Sequence, residues 1–382
     1  MVAKRLLEIE ESATIKISEI ASELKRRGIE VINFGLGEPD FTTPKHVSEA
    51  AKQALDKGYT HYVPSAGIPE LRRAIAEKLK VENHLKVQAS NIIVTPGTKQ
   101  AIYEAAMSLL EEGDEAILFD PAWVSYEAII KLSGAKVIWA SSYRNSLIDQ
   151  LLEKISNKTK LLVINSPSNP SGRVLSKQDL KAIADIAIDR DLYVLSDEIY
   201  EKIIYDREHF SIGSLDGMEE RTITINGFSK SYAMTGWRLG YAAAPKEIFE
   251  SMLKIQQHSV SSATSFAQYG GLAALTSSQE CVKEMVAEFK ARRELIIEYL
   301  EEMELSYIKP EGAFYAFVDI AHLGSSPEVA EKLLEKAHIA VTPGAPFGPE
   351  SEGYIRISYA TSKANIIEGM RRMKEAIENW DF

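Results

Sequence analysis

Gly227-Phe228-Ser229-Lys230-Ser231-Tyr232-Ala233-Met234-Thr235-Gly236-Trp237-Arg238-Leu239-Gly240 directly follows the apolar run Thr222–Ile225. Small residues dominate the segment, with a lysine near its start and an arginine eight positions later. That layout suits a lysine that must reach a carbonyl carbon while a guanidinium grips a phosphate. Taken singly, Lys230 reads as a solvated surface charge and Arg238 as an ordinary ion-pair partner. Read as one segment at the end of a strand, they point to a ligand carrying both an electrophilic carbon and a phosphate.

Working outward, short apolar runs alternate with helix-like stretches. Strands are expected over Ile92–Thr95, Ala116–Phe119, Val137–Trp139, Leu161–Ile164, Leu192–Leu195, Thr222–Ile225 and Leu239–Ala244. Near-continuous apolar strands between amphipathic helices predict an α/β fold with a mostly parallel sheet covered on both faces. Polar clusters follow five of these strands: Pro96-Gly97-Thr98-Lys99, Asp120-Pro121-Ala122-Trp123, Asn165 to Gly172, Ser196-Asp197-Glu198-Ile199-Tyr200, and the lysine segment. Ligands of open α/β sheets bind beyond the carboxyl ends of the strands, so five such clusters predict one site. From Val282 to Met303 the pattern turns helical, with Val282, Val286, Phe289, Ile296, Ile297, Leu300 and Met303 on one face. Strands over Ala313–Val318 and Tyr354–Ser358 follow.

The 382 residues suffice for two domains, and 45% apolar with 26% charged residues is the balance of a soluble protein. A net charge of −11 argues against a nucleic-acid or anionic-membrane partner. The single cysteine, Cys281, excludes an intrachain disulfide and fits a reducing compartment. No apolar run approaches the ~20 residues of a membrane span, and the first ten residues do not read as a signal peptide, so a cytoplasmic enzyme is expected. The seven histidines are scattered without metal-ligand spacing, and no metal site is expected.

Pyridoxal phosphate (PLP), with an aldehyde and a phosphate on one pyridine ring, has the two groups that Lys230 and Arg238 ask for. Ser229 and the backbone N–H groups of Thr98 and Lys99, at an expected helix start, complete a phosphate cup. Asp197 emerges from an apolar strand and suits a protonated ring nitrogen, although on the motif alone a helix N-cap is the stronger reading. Tyr200 lies on the same side of that turn, within reach of a ring oxygen. Trp123 reads either as a stacking platform or as plain core. Asn169 precedes Pro170 and is biased toward an extended backbone that projects its amide, in a stretch that is otherwise an ordinary loop. Arg356 alternates with apolar residues in Tyr354-Ile355-Arg356-Ile357-Ser358, and reads as an exposed strand face or as a clamp on an α-carboxylate.

Together these pieces resemble the fold-type I PLP enzymes, and among them the class I aminotransferases, over essentially the whole chain. The lysine segment, the Ser-Asp-Glu-Ile-Tyr run, the Asn-Pro-Ser-Gly turn and Gly35-Leu36-Gly37-Glu38-Pro39-Asp40 stand in that family's order. The resemblance implies a large PLP domain over 45–281 with a seven-stranded sheet, and a small α+β domain built from 1–44 and 282–382. It further implies Lys230 as catalytic lysine and proton shuttle, a homodimer, and Tyr62 reaching the partner subunit's phosphate. The turn departs from the family in having Ser171 for threonine. The stretch from Trp139 to Thr159 is shorter than usual by about one hairpin, which puts an edge strand in doubt.

Substrate choice is read at one end of the site. Lys99 matches a lysine that contacts the distal carboxylate in archaeal- and thermophilic-type aspartate aminotransferases, and Ser12-Ala13-Thr14 matches their N-terminal segment. Substrate contacts are accordingly expected from Gly37, Lys99, Trp123, Asn169, Arg356 and Thr14. The resemblance implies ping-pong transamination of aspartate with 2-oxoglutarate. Broad, aromatic or prephenate aminotransferases, a C–S lyase and a non-catalytic PLP-sensing module are the alternatives. The last of these carries a basic helix-turn-helix domain ahead of the aminotransferase part, for which this acidic sequence leaves no room before Gly35.

Overall fold

The computed structural model of the chain describes residues 13–143 and 147–380, together with residues 3, 6, 7 and 9. Helix α1 (Ala13–Arg26) leads to a two-residue strand, β1 (Ile32–Asn33), and then to α2 (Lys45–Asp56) and α3 (Pro69–Glu82). A seven-stranded sheet follows, built from β2 (Ile92–Thr95), β3 (Glu115–Asp120), β4 (Lys136–Ser141), β5 (Thr159–Asn165), β6 (Tyr193–Asp197), β7 (Thr222–Gly227) and β8 (Gly240–Ala243). Its order is β2-β8-β7-β6-β5-β3-β4. Each expected strand is present, its ends within two residues of those expected; all are largely buried apolar runs except the edge strand β4, which is half-buried over much of its length. The edge strand put in doubt by the short Trp139–Thr159 stretch is there: β4 pairs with β3 over six residues.

Strand direction gathers the site. All pairs are parallel except those of β8, which runs antiparallel to both β2 and β7. The connection from Gly227 to Gly240 has no crossover helix, only a short 3-10 turn at Thr235–Trp237, and a parallel return normally runs through a helix. The reversal has a consequence. The end of β7, which delivers Lys230, and the start of β8, which follows Arg238, meet at one edge of the sheet. The carboxyl ends of β2, β3, β5 and β6 open on that same edge, where α4 (Thr98–Leu109) begins just after β2.

Beyond the long helix Glu280–Glu302 the chain forms β9 (Tyr307–Ile308), β10 (Tyr315–Asp319), β11 (Ile339–Ala340), β12 (Thr342–Pro343) and β13 (Tyr354–Ser358). Four of these make an antiparallel sheet in the order β12-β13-β10-β9, and β11 pairs in parallel with β1. The buried face of the long helix includes Val282, Phe289, Ile296 and Leu300, as its periodicity predicts. It also buries Arg292 and Arg293, which the periodicity does not reveal; they pair with Asp40 at 2.7 Å and Asp206 at 2.6 Å. Among the described residues no helix is long and apolar enough to cross a membrane.

Candidate active site

A cleft of about 1130 Å³ lies between the carboxyl edge of the large sheet, the small sheet and α1. Gly37, Thr98, Lys99, Trp123, Asn169, Asp197, Tyr200, Ser229, Lys230, Arg238 and Arg356 all line it. Eleven residues expected from five strand ends, the Gly35–Asp40 loop and the strand Tyr354–Ser358 therefore meet in one place. Two expected residues stand apart. Tyr62 is 91% exposed on its own chain and lines no part of the cleft. Thr14 belongs to α1, but its side chain falls outside what the structure describes, as does Ser12 altogether.

At the phosphate end, Gly97 has φ of +79°, and a Cβ there would sit 2.5 Å from Arg238 Nη2. A glycine lets the guanidinium close over the first turn of α4, where unpaired N–H groups and the helix dipole attract an anion. Arg238 is itself left-handed, with φ of +50°, and its Nη1 donates to the Thr235 carbonyl at 2.9 Å. Thr235 Oγ1 in turn donates to Glu38 at 2.7 Å, which ties the lysine segment to the Gly35–Asp40 loop.

Asp197 ends β6 almost fully buried. Its Oδ1 accepts from the Ile199 N–H at 3.2 Å within a turn, and no helix follows for it to cap. Its Oδ2 accepts from the Tyr126 hydroxyl at 2.6 Å. Burial raises its pKa to about 6; the Tyr126 and Ile199 hydrogen bonds and the Lys230 charge oppose the rise. Lys230 projects from the other side of the cleft and donates to the Gly37 carbonyl. Its pKa falls to about 8, chiefly through burial, with Arg356 and Arg238 pushing the same way and Glu38 and Asp197 pulling back. An amine so tuned titrates near neutrality, as a base at carbon must.

Arg356 is 1% exposed, so its side chain is no solvent-facing strand residue. Its Nη1 donates to Asn169 Oδ1 at 2.9 Å, and Nη2 donates to the Gly35 carbonyl at 2.7 Å and to Thr342 Oγ1 at 3.2 Å. Nε is buried without a partner. Such a cation asks for an anion. Lys99 is partly buried, with its Nζ 4.9 Å from the centre of the Trp123 ring. Its pKa is lowered by burial and then by Arg238.

These residues fit PLP: an anion cradle with a guanidinium, a lysine amine, and a buried carboxylate to face a ring nitrogen. Sequence reasoning missed Tyr126, Tyr315 and Thr342, and gave Asn165 no role beyond its place in a strand-end cluster. Tyr126 stands one helical turn after Trp123, a spacing that would have revealed it. Tyr200 was expected to face a ring oxygen, and its hydroxyl lies 2.8 Å from that of Tyr315. Nothing local to Tyr315 marks that contact. Beside the site, His209 is less solitary than its scatter suggests: its Nε2 lies 3.0 Å from Glu198, within a buried network that includes Asn83, Glu201 and Lys78.

The family described as aminotransferase class I and II matches residues 29–373. The chain belongs to that family, and it is a PLP-dependent aminotransferase. Among relatives, an aspartate aminotransferase of Pyrococcus abyssi is 46% identical over 98% of each chain. An aromatic-amino-acid aminotransferase 2 of Thermococcus litoralis is 45% identical over 92% of this chain and 93% of its own. The structure of the aspartate aminotransferase from Thermus thermophilus with maleate superposes with a TM-score of 0.95 at 40% identity, over 98% of this chain and 99% of that one.

Proposed function

We propose that the chain transfers the amino group of aspartate to 2-oxoglutarate. One observation carries this reading: two cations, Arg356 and Lys99, line the same cleft. Arg356, with an unsatisfied donor, takes the α-carboxylate that every amino acid offers. Lys99 takes the distal carboxylate that aspartate, glutamate and their oxo acids share. The Pyrococcus abyssi and Thermus thermophilus names support this choice. The Thermococcus litoralis name supports aromatic amino acids as a second reading.

The residue roles belong to the same proposal. PLP supplies an electron sink that makes the substrate Cα–H acidic. Lys230 takes that proton and redelivers it, from an amine whose pKa burial lowers to about 8, so that a working fraction is unprotonated near neutral pH. Asp197 holds the ring nitrogen, and Tyr200 and Asn169 face the ring oxygen. Arg238, Ser229 and the amides of Thr98 and Lys99 hold the phosphate, and Trp123 stacks on the ring. Gly37 and Thr14 belong to the substrate side. Both half-reactions use one site, so the kinetics are ping-pong.

The assembly is a homodimer in which Tyr62 reaches the partner subunit's phosphate; its 91% exposure, with Leu55 and Tyr59 exposed just before it, supports this. The chain divides at 45–281 and at 1–44 with 282–382, and the lone Cys281 supports a cytoplasmic setting. Steady-state kinetics of Lys99→Ala test the specificity. We expect kcat/KM for aspartate to fall about 10- to 100-fold more than that for phenylalanine. Equal losses on both substrates contradict the acidic preference.

A further inference from the structure

Tyr315, on β10, touches both ends of the site. Its side chain is completely buried. Its ring lies beneath Arg356, with the guanidinium carbon 4.5 Å from the ring centre. Its hydroxyl lies 2.8 Å from that of Tyr200. The Gly35–Asp40 loop closes over the same oxygen, so that a Cβ on Gly37 would stand only 3.2 Å from it. Gly37 is also the residue whose carbonyl accepts from Lys230.

We propose that Tyr315 is a positioning residue that couples the carboxylate clamp to the proton-handling end of the site. Its ring face fixes the Arg356 guanidinium, and its hydroxyl donates to Tyr200. This rests on the reading that places the PLP ring oxygen at Tyr200 and the α-carboxylate at Arg356.

Counting protons sets the direction of the bond. A phenol has one proton to give and two positions at which to accept. Among the described residues each of the two hydroxyls has only the other as partner. When Tyr200 gives its proton to a ligand oxygen, the bond between the tyrosines survives only with Tyr315 as donor. An accepted hydrogen bond polarises the Tyr200 O–H and makes it the stronger donor. The ring does separate work. Arg356 is held in its own plane by Asn169, Gly35 and Thr342, and Tyr315 supports one flat face of it. The guanidinium is thereby kept in one orientation for an incoming carboxylate.

Tyr315→Phe and Tyr315→Leu separate the two contacts in the PLP-loaded enzyme. A weaker donor at the ring oxygen leaves more negative charge beside the protonated nitrogen joining lysine and cofactor, which then keeps its proton to higher pH. In Tyr315→Phe the pH midpoint of the visible absorbance should rise by about half to one unit, while KM for aspartate stays within about 2-fold. In Tyr315→Leu the midpoint should shift alike and KM should rise about 10-fold. An unmoved midpoint in Tyr315→Phe, or a KM rise as large as that of the leucine variant, overturns the proposal. Tyr200→Phe is the reference. A shift there with none in Tyr315→Phe removes the coupling alone, and no shift in either removes the placement of the ring oxygen as well.

Discussion

At the ends of β6 and β7, Asp197 and Lys230 are charged groups with few fixed partners, whereas Arg356 on β13 is gripped by three acceptors and an aromatic face. The first pair titrates within reach of neutrality, at about 6 and about 8, because burial is incompletely offset by neighbours. The arginine stays charged, and its three hydrogen bonds leave two of its five N–H donors free, the buried Nε among them. In the roles proposed above, the difference separates two jobs. Groups that must exchange protons or answer a cofactor's charge are left electrostatically exposed to it. A group that must only recognise is fixed in advance.

Substitutions can break that contrast. Lys230→Ala should have the largest effect, lowering transamination by at least about 10³-fold in a coupled assay, because no other amine in the cleft is placed to move the Cα proton. Residual activity above a tenth of the wild type would mean that another group is the base. Arg356→Lys should come next, lowering kcat/KM by about 10²–10³-fold for every amino acid alike, since a point charge cannot replace a planar clamp with three fixed bonds. A loss confined to dicarboxylates would move Arg356 to the side-chain end.

Asp197 gives the contrast a pH signature. An acid whose pKa is raised on folding binds more protons folded than unfolded, so its contribution to stability declines as pH rises. Here that decline runs from about pH 4 through about 6. The cofactor-free protein should therefore lose about 2–3 kcal/mol relative to its Asp197→Asn variant across this window, as followed by denaturant unfolding. With PLP bound the ranking should reverse. The same ranking in both forms would mean that Asp197 does not face a positive group. Gly97→Ala should have the smallest effect, about 1–2 kcal/mol of stability from the left-handed backbone, with several-fold weaker PLP retention on dialysis. Unchanged retention would place the phosphate away from Arg238.

The same contrast explains what could be read in advance. The strand-end residues were legible because each follows directly on an apolar run, and chain direction carries them to one edge. Arg356 was ambiguous, since alternation in Tyr354–Ser358 reads as one wet and one dry face. In fact its strand neighbours Thr342 and Phe317 cover it. Tyr315 holds Tyr200 across 115 residues of sequence, a distance over which no local pattern speaks, whereas Tyr126, 71 residues from Asp197, was within reach through its one-turn spacing from Trp123.

The central claim is a preference for dicarboxylic amino acids at a lysine-bound PLP. Rapid mixing of the yellow, PLP-loaded enzyme with aspartate or phenylalanine tests it most directly. Aspartate should bleach the visible band at concentrations at least about tenfold lower than phenylalanine, and 2-oxoglutarate should restore it. Equal or better bleaching by phenylalanine would contradict the assignment of Lys99, and no bleaching by either would contradict the site itself.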